Sequence, residues 1–206
     1  MRRPITLLLA ASALIALVAC ATTSTKLTTS WANPDFKGPL GYQKVFVLFA
    51  SPNHNMRVQI EGAVVARLEM HGVMGLPANI AVPDSTLRDI PRLKEQLAQI
   101  NVDGVVVMRP IGKSERTQYV STSPGYWGAY PEFWGYYNYM GPTMWDPGFY
   151  VTDTTYKVET RIFDLKSGRL VWGGMSDTMN PTDAQVAATE LAKAIGEDLR
   201  ASGLVR

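Results

Sequence analysis

The side chains that could do chemistry in this sequence are few. There is one cysteine, Cys20, and there are two histidines, His54 and His71. A single thiol forms no internal disulfide, but it can be alkylated, and Cys20 follows directly on Leu17, Val18 and Ala19. Neither histidine has another histidine or a cysteine at a metal-binding spacing, so neither is read as a ligand or a catalytic base. The sequence has no Gly-x-Ser-x-Gly elbow and no phosphate-binding glycine loop. Acidic residues are plentiful, but no spacing pairs two of them for acid–base work. Asp153, Glu159 and Asp164 read as solvated strand positions. The expectation is a chain that is not an enzyme, with no catalytic residue, no metal and no diffusible cofactor.

The surroundings of Cys20 give its thiol a specific use. Arg2 and Arg3 precede an uncharged apolar run over residues 5–19, broken only by Thr6 and Ser12. This is the basic and apolar pattern of a secretory signal, and it is too short for a membrane span of about 20 residues. Leu17, Val18, Ala19 and Cys20 resemble the lipobox of bacterial lipoprotein precursors. The resemblance implies cleavage before Cys20, a diacylglyceryl group on its thiol and a further acyl chain on its new amine. Two or three chains hold a protein on a membrane almost permanently, where one holds it weakly. Ala21, rather than aspartate, follows the cysteine; by resemblance to sorting in enteric bacteria this implies the outer membrane, facing the periplasm.

Composition narrows the partners. Arg2 and Arg3 account for two of 20 basic residues, so 18 basic and 18 acidic residues remain after cleavage. A balanced chain argues against nucleic acid and against electrostatic recruitment to a membrane. Residues 21–30, ATTSTKLTTS, read as an extended tether reaching at most about 35 Å, which keeps the domain near its membrane.

Residues 126–150 differ in kind from the rest. They carry eleven aromatic side chains, four glycines and three prolines, with Glu132 and Asp146 as their only charges. One reading is a hairpin extension that folds back and packs on itself. The others need exposed rings, for which Tyr126, Trp127, Tyr130, Trp134, Tyr136, Tyr137 and Trp145 are the candidates. Tyrosine and tryptophan join an apolar face to a polar tip, which suits a protein partner first, a lipid headgroup belt second and a stacked sugar third.

Around this insert the elements are conventional. The run KVFVLFA at residues 44–50 is a buried strand, and residues 56–71 are a helix with Ile60, Ala63, Val64 and Met70 inward. Residues 78–82 suit a short strand. Pro91 opens a second helix with Leu93, Leu97 and Ile100 on one stripe. Residues 105–108 form a second central strand that continues to Val120. Tyr156, Val158, Thr160 and Ile162 alternate with charges along a strand over residues 150–165. Ser167 and Gly168 turn the chain, and residues 170–175 return antiparallel. Thr182 and Gln185 form a capping box for a last helix ending near Ala201, with Ala188, Leu191, Ala192, Ile195 and Leu199 buried.

The lipobox, the strand–helix pair and the hairpin TRIFDLKSGRLVW at residues 160–172 together resemble uncharacterised bacterial lipoproteins grouped as a domain of unknown function, the 4136 type. The hairpin is also similar to that of envelope lipoproteins resembling the N-terminal domain of TolB, the curli secretion lipoproteins and the activators of penicillin-binding proteins. The resemblance implies a non-enzymatic envelope role exerted through protein contacts. Trp172 beside the turn reads as core. The expected organisation is a signal peptide at 1–19, a lipidated cysteine and tether at 20–30, and one α/β (α+β) sandwich domain at 31–206. Its mixed sheet has about five strands with three helices, and the aromatic insert occupies about 121–149. A glycan- or peptidoglycan-associated binder is the alternative function, and an enzyme with an unrecognised site a further one.

Overall fold

The computed structural model describes residues 23–120, 132–135, 137–138 and 148–206. In chain order it contains β1 (Ser24–Ala32), β2 (Lys44–Phe49), α1 (His54–Glu69), β3 (Met74–Pro77), α2 (Ala78–Ala81), a 3-10 turn (Thr86–Arg88), α3 (Ile90–Gln99), β4 (Gly104–Val120), β5 (Phe149–Asp164), β6 (Arg169–Met179) and α4 (Ala184–Ala201). The strands form one open mixed sheet in the order β1-β6-β5-β4-β2-β3. The pairs β2–β3 and β2–β4 are parallel, and β4–β5, β5–β6 and β6–β1 are antiparallel. The parallel crossovers of the first half and the antiparallel return of the second are as the element order demands.

The all-apolar runs of β2 and β4 follow from burial on both faces. Val45, Val47, Phe49, Val106 and Met108 turn to one side, where α1 and α4 cover them together with Trp172 and Ile162. Phe46 and Val105 turn to the other, against Ala78, Val82, Leu97 and Val102. Beyond these central strands the second side of the sheet has no such cover among the described residues, and β5 alternates buried Thr160 and Ile162 with the charged Glu159 and Arg161.

Several local expectations are corrected. Residues 24–30, expected as tether, are part of edge strand β1, paired with β6 from Ser24–Met179 to Ala32–Trp172. Their threonines are β-branched and serve a half-exposed edge as readily as a linker. Residues 78–81 are a single helical turn, and the strand precedes them at Met74–Pro77. Met70 is exposed, because α1 has ended at Glu69. The cap of α4 is Asp183, whose carboxylate accepts from the Val186 N–H at 2.8 Å, rather than Thr182 with Gln185. The five residues expected on the buried face of α4 are all buried.

Trp172 is fully buried. Its ring lies against Gly174, where an added Cβ would come within 2.5 Å of it. Its indole N–H donates to Asp198 Oδ2 at 2.7 Å, while Ser30 Oγ donates to Asp198 Oδ1 at 3.0 Å. One carboxylate on α4 thus ties together β6 and β1.

Candidate functional site

Strands β4 and β5 outrun their neighbours. They pair from Gly104–Asp164 to Val120–Phe149, with a bulge at Pro110–Gly112, whereas β2 stops opposite Met108 and β6 opposite Thr155. Beyond Ser114–Thr155 they form a two-stranded ribbon, with no third strand among the described residues. No core imposes alternation there, and cross-strand pairs stabilise it instead. The Thr117 and Thr152 hydroxyls are 2.9 Å apart, the rings of Tyr119 and Tyr150 are centred 5.4 Å apart, and Lys113 stands over Tyr156. Gly148 closes the ribbon at φ +101°, where a Cβ would lie 2.3 Å from the Val120 carbonyl oxygen, so no side chain is tolerated.

The base of the ribbon is fastened by Asn180, in the left-handed region at φ 47°. Its backbone N–H donates to the Thr154 carbonyl, its side-chain oxygen accepts from the Thr154 N–H at 2.8 Å, and its amide donates to Asp153 Oδ1 at 2.7 Å. Its carbonyl accepts from Thr23 Oγ1 at 3.2 Å. The start of the described chain and the root of the ribbon therefore meet at one residue. Sequence reasoning missed Asn180, although Asn-Pro after a strand is a turn signal.

The rings are exposed. Trp134 is 73 % and Tyr150 74 % accessible, and Tyr119, Phe133, Tyr137 and Phe149 are also exposed. Phe133, Trp134 and Tyr137 lie together in the segment joining the strands, with the first two rings edge-on at 5.0 Å. Of the residues expected to bind a partner, Trp134 and Tyr137 are therefore brought together and open to solvent. Tyr126, Trp127, Tyr130, Tyr136 and Trp145 lie outside the described residues, as do Leu17, Val18, Ala19 and Cys20.

The bare side of the sheet carries a second cluster. Glu159 on β5 accepts from Arg109 Nη2 at 2.6 Å and pairs with Arg161 Nη2, also at 2.6 Å. The hydrogen bonds from Arg109 and then Arg161 hold the Glu159 carboxyl below its usual range. With Val107 and Phe163 these residues line an open depression of about 350 Å³. Its lining joins three charged side chains to two apolar ones.

The remaining titratable groups serve the scaffold. Glu61 is fully buried, and its two oxygens accept from the N–H groups of Phe49 at 3.0 Å and Asn79 at 2.8 Å. Arg57, one turn earlier, pairs with it and donates to Asp84 at 2.7 Å, which holds the Asp84 carboxyl low. On the sequence, this i, i+4 pair looks like an ordinary helix surface. Asp153, Glu159 and Asp164, expected as solvated, are each engaged. Burial opposes ionisation of Asp164, but bonds from the Ser167 hydroxyl and N–H and from Tyr42 outweigh it, and its carboxyl sits below the usual range. Burial first, and Asp164 second, push the Tyr42 phenol above its ordinary value. His54 and His71 are exposed at opposite ends of α1. Among the described residues no group of three His, Cys, Asp or Glu could hold a metal, and no helix is long and apolar enough to cross a membrane.

The molecule is thus an α+β domain built on an open mixed sheet, with a projecting aromatic hairpin. Among solved structures it is similar to a PelC dodecamer from Paraburkholderia phytofirmans, at 14% identity over 90% of this chain and 100% of that one, with a TM-score of 0.45. It is also similar to the lipoprotein GNA1162 from Neisseria meningitidis, at 15% identity over 76% of this chain and 98% of that one, with a TM-score of 0.40. No protein-family model and no curated protein matches the chain.

Proposed function

We propose that this chain is a lipoprotein of the bacterial envelope. Cys20 anchors it by lipid to the outer membrane on the periplasmic side, and it works as a non-enzymatic binding or assembly module whose contact element is the aromatic end of the β4–β5 ribbon. The observation that carries the reading is the ribbon itself: two strands leave the sheet to hold Tyr119, Phe149 and Tyr150 in solvent, and Phe133, Trp134 and Tyr137 in the connecting segment are as open. Contiguous exposed apolar surface invites aggregation unless something covers it. The resemblance of residues 17–20 to a lipobox, and of the hairpin at 160–172 to the domain-of-unknown-function lipoproteins, supports the envelope setting. An envelope protein is the first partner the ring types suggest, with a lipid surface and a glycan behind it.

Two measurements test this. Cys20→Ser should abolish labelling by a palmitate analogue, and equal labelling of wild type and variant refutes the anchor. A photoreactive amino acid at Tyr137, in the lipidated protein in cells, should yield an adduct on irradiation; its absence refutes the ribbon as contact element.

A further inference from the structure

The ribbon and the anchor leave the fold at the same level. Ser24 pairs with Met179, Met179 with Thr155, and Thr155 with Ser114, so the four stand in one row across the sheet. Thr23 continues past that row, its hydroxyl on the Asn180 carbonyl, and Asn180 in turn grips Thr154 at the root of the ribbon. Three peptide steps separate Thr23 from Cys20, which can span at most about 11 Å. Five steps separate Thr154 from Phe149 along the ribbon, about 17 Å. Twist of about 20–25° at each of the two strand pairs between β1 and β5 still leaves about 12 Å of that length pointing the way β1 begins. The end of the ribbon therefore projects as far as the lipidated cysteine can.

Polarity decides which surface near the anchor can meet lipid. Side by side with it, β1 offers Lys26, Thr28 and Ser30, all exposed and polar. The charges of the ribbon, Lys113, Glu115, Arg116 and Asp153, stop at its lower half, and between Thr117 and Thr152 the only charges are Glu132 and Asp146. The described side chains there include exposed Tyr119, Trp134, Tyr137, Phe149 and Tyr150. Tyrosine and tryptophan settle at the headgroup level of a bilayer, with the ring toward the acyl chains and the polar atom toward water. The outer edges of a two-stranded ribbon carry unpaired N–H and C=O groups, which bars it from the hydrocarbon core and sets its depth at the interface.

We propose that the aromatic end of the β4–β5 ribbon rests in the headgroup region of the same membrane that holds Cys20, so that the domain stands on two points: a covalent lipid and a ring-bearing foot. This rests on the lipid-anchored reading above and puts a lipid surface, in place of the protein ranked first there, against the contact element. The sheet then stands with its strands steeply inclined to the membrane, and its bare face, with Arg109, Glu159 and Arg161, looks sideways into the periplasm.

The test uses the full lipidated protein in vesicles of phosphatidylethanolamine and phosphatidylglycerol, with and without bromine on the acyl chains. The difference between wild type and Trp134→Phe isolates the emission of Trp134. That component should fall by more than half in brominated vesicles and be screened from acrylamide in the water. Tyr150→Trp, placed in the Trp134→Phe background, should add a second component that behaves alike and reports the ribbon itself. Components quenched by acrylamide and indifferent to bromine overturn the proposal. So do components screened from both, as a second copy of the chain would screen them. Flotation with the vesicles reports the anchor independently: a floating protein with acrylamide-quenched Trp134 refutes the foot alone, and one that does not float refutes the anchor as well.

Discussion

Removing the Trp172 ring should expose how much of the fold hangs on one side chain. The ring is fully buried between β6 and α4, and it packs directly on the bare backbone of Gly174. Trp172→Ala loses the transfer free energy of the ring and leaves a cavity, about 3–5 kcal/mol together. It also strips Asp198 Oδ2 of its donor, although Ser30 still serves Oδ1. For a domain of this size each kcal/mol moves the thermal midpoint by about 2–4 °C, so the variant should melt roughly 6–20 °C lower. Gly174→Ala should also destabilise, by about 1–3 kcal/mol, because its methyl group is driven into the ring. The double variant should be more stable than the sum of the two predicts, since the added methyl then occupies space the ring vacated. Thermal melts followed by far-ultraviolet circular dichroism measure all three. A midpoint for Trp172→Ala within about 2 °C of wild type, or strict additivity in the cycle, would refute the packing argument.

Two further outcomes follow from the same structure. Asp164 is held below its ordinary range, so its contribution is full above the unfolded value of about 3.9 and is lost as pH falls toward the folded one. Asp164→Asn should therefore lose less stability between pH 7 and pH 2 than wild type does, and identical acid unfolding profiles would contradict the assignment. Joining Val120 to Phe149 through an Asn-Gly turn should leave the melting midpoint within about 2 °C of wild type, because every core residue among the described ones lies below the ribbon; a molten or insoluble product would show that the insert belongs to the core.

The parts of the fold that were legible before the structure are those where burial is continuous or periodic. The apolar runs of β2 and β4 and the five-residue stripe of α4 could hardly be read otherwise. The parts that were not legible lack such a pattern. β1 alternates weakly because an edge strand is exposed along much of its length, and its threonines suit linker and strand equally. Glu61 looked like any helix-surface glutamate, since the backbone N–H groups that bury it belong to Phe49 and Asn79. Whether the ribbon's rings stand in solvent was open, since their density suits a self-packed extension as well, but the ribbon itself could be anticipated from strand signals that end at Val120 and resume at Tyr150. Its position beside the start of the chain could not, because that depends on the register of four strands and on Asn180, whose partners are distant in sequence.

The placement of β1 also has a mechanical consequence. A force applied at Thr23 enters β1 through Ser24, at the end of a strand that pairs with β6 at eight registered positions. A pull along the strand axis loads that ladder in shear, so its hydrogen bonds must yield together and not one after another as they would if the strand were peeled from the far end. Behind the ladder, Ser30 is held to Asp198 on α4, and Asp198 to the buried indole of Trp172. A tug on β1 is thereby passed from the edge of the sheet to the buried core around Trp172.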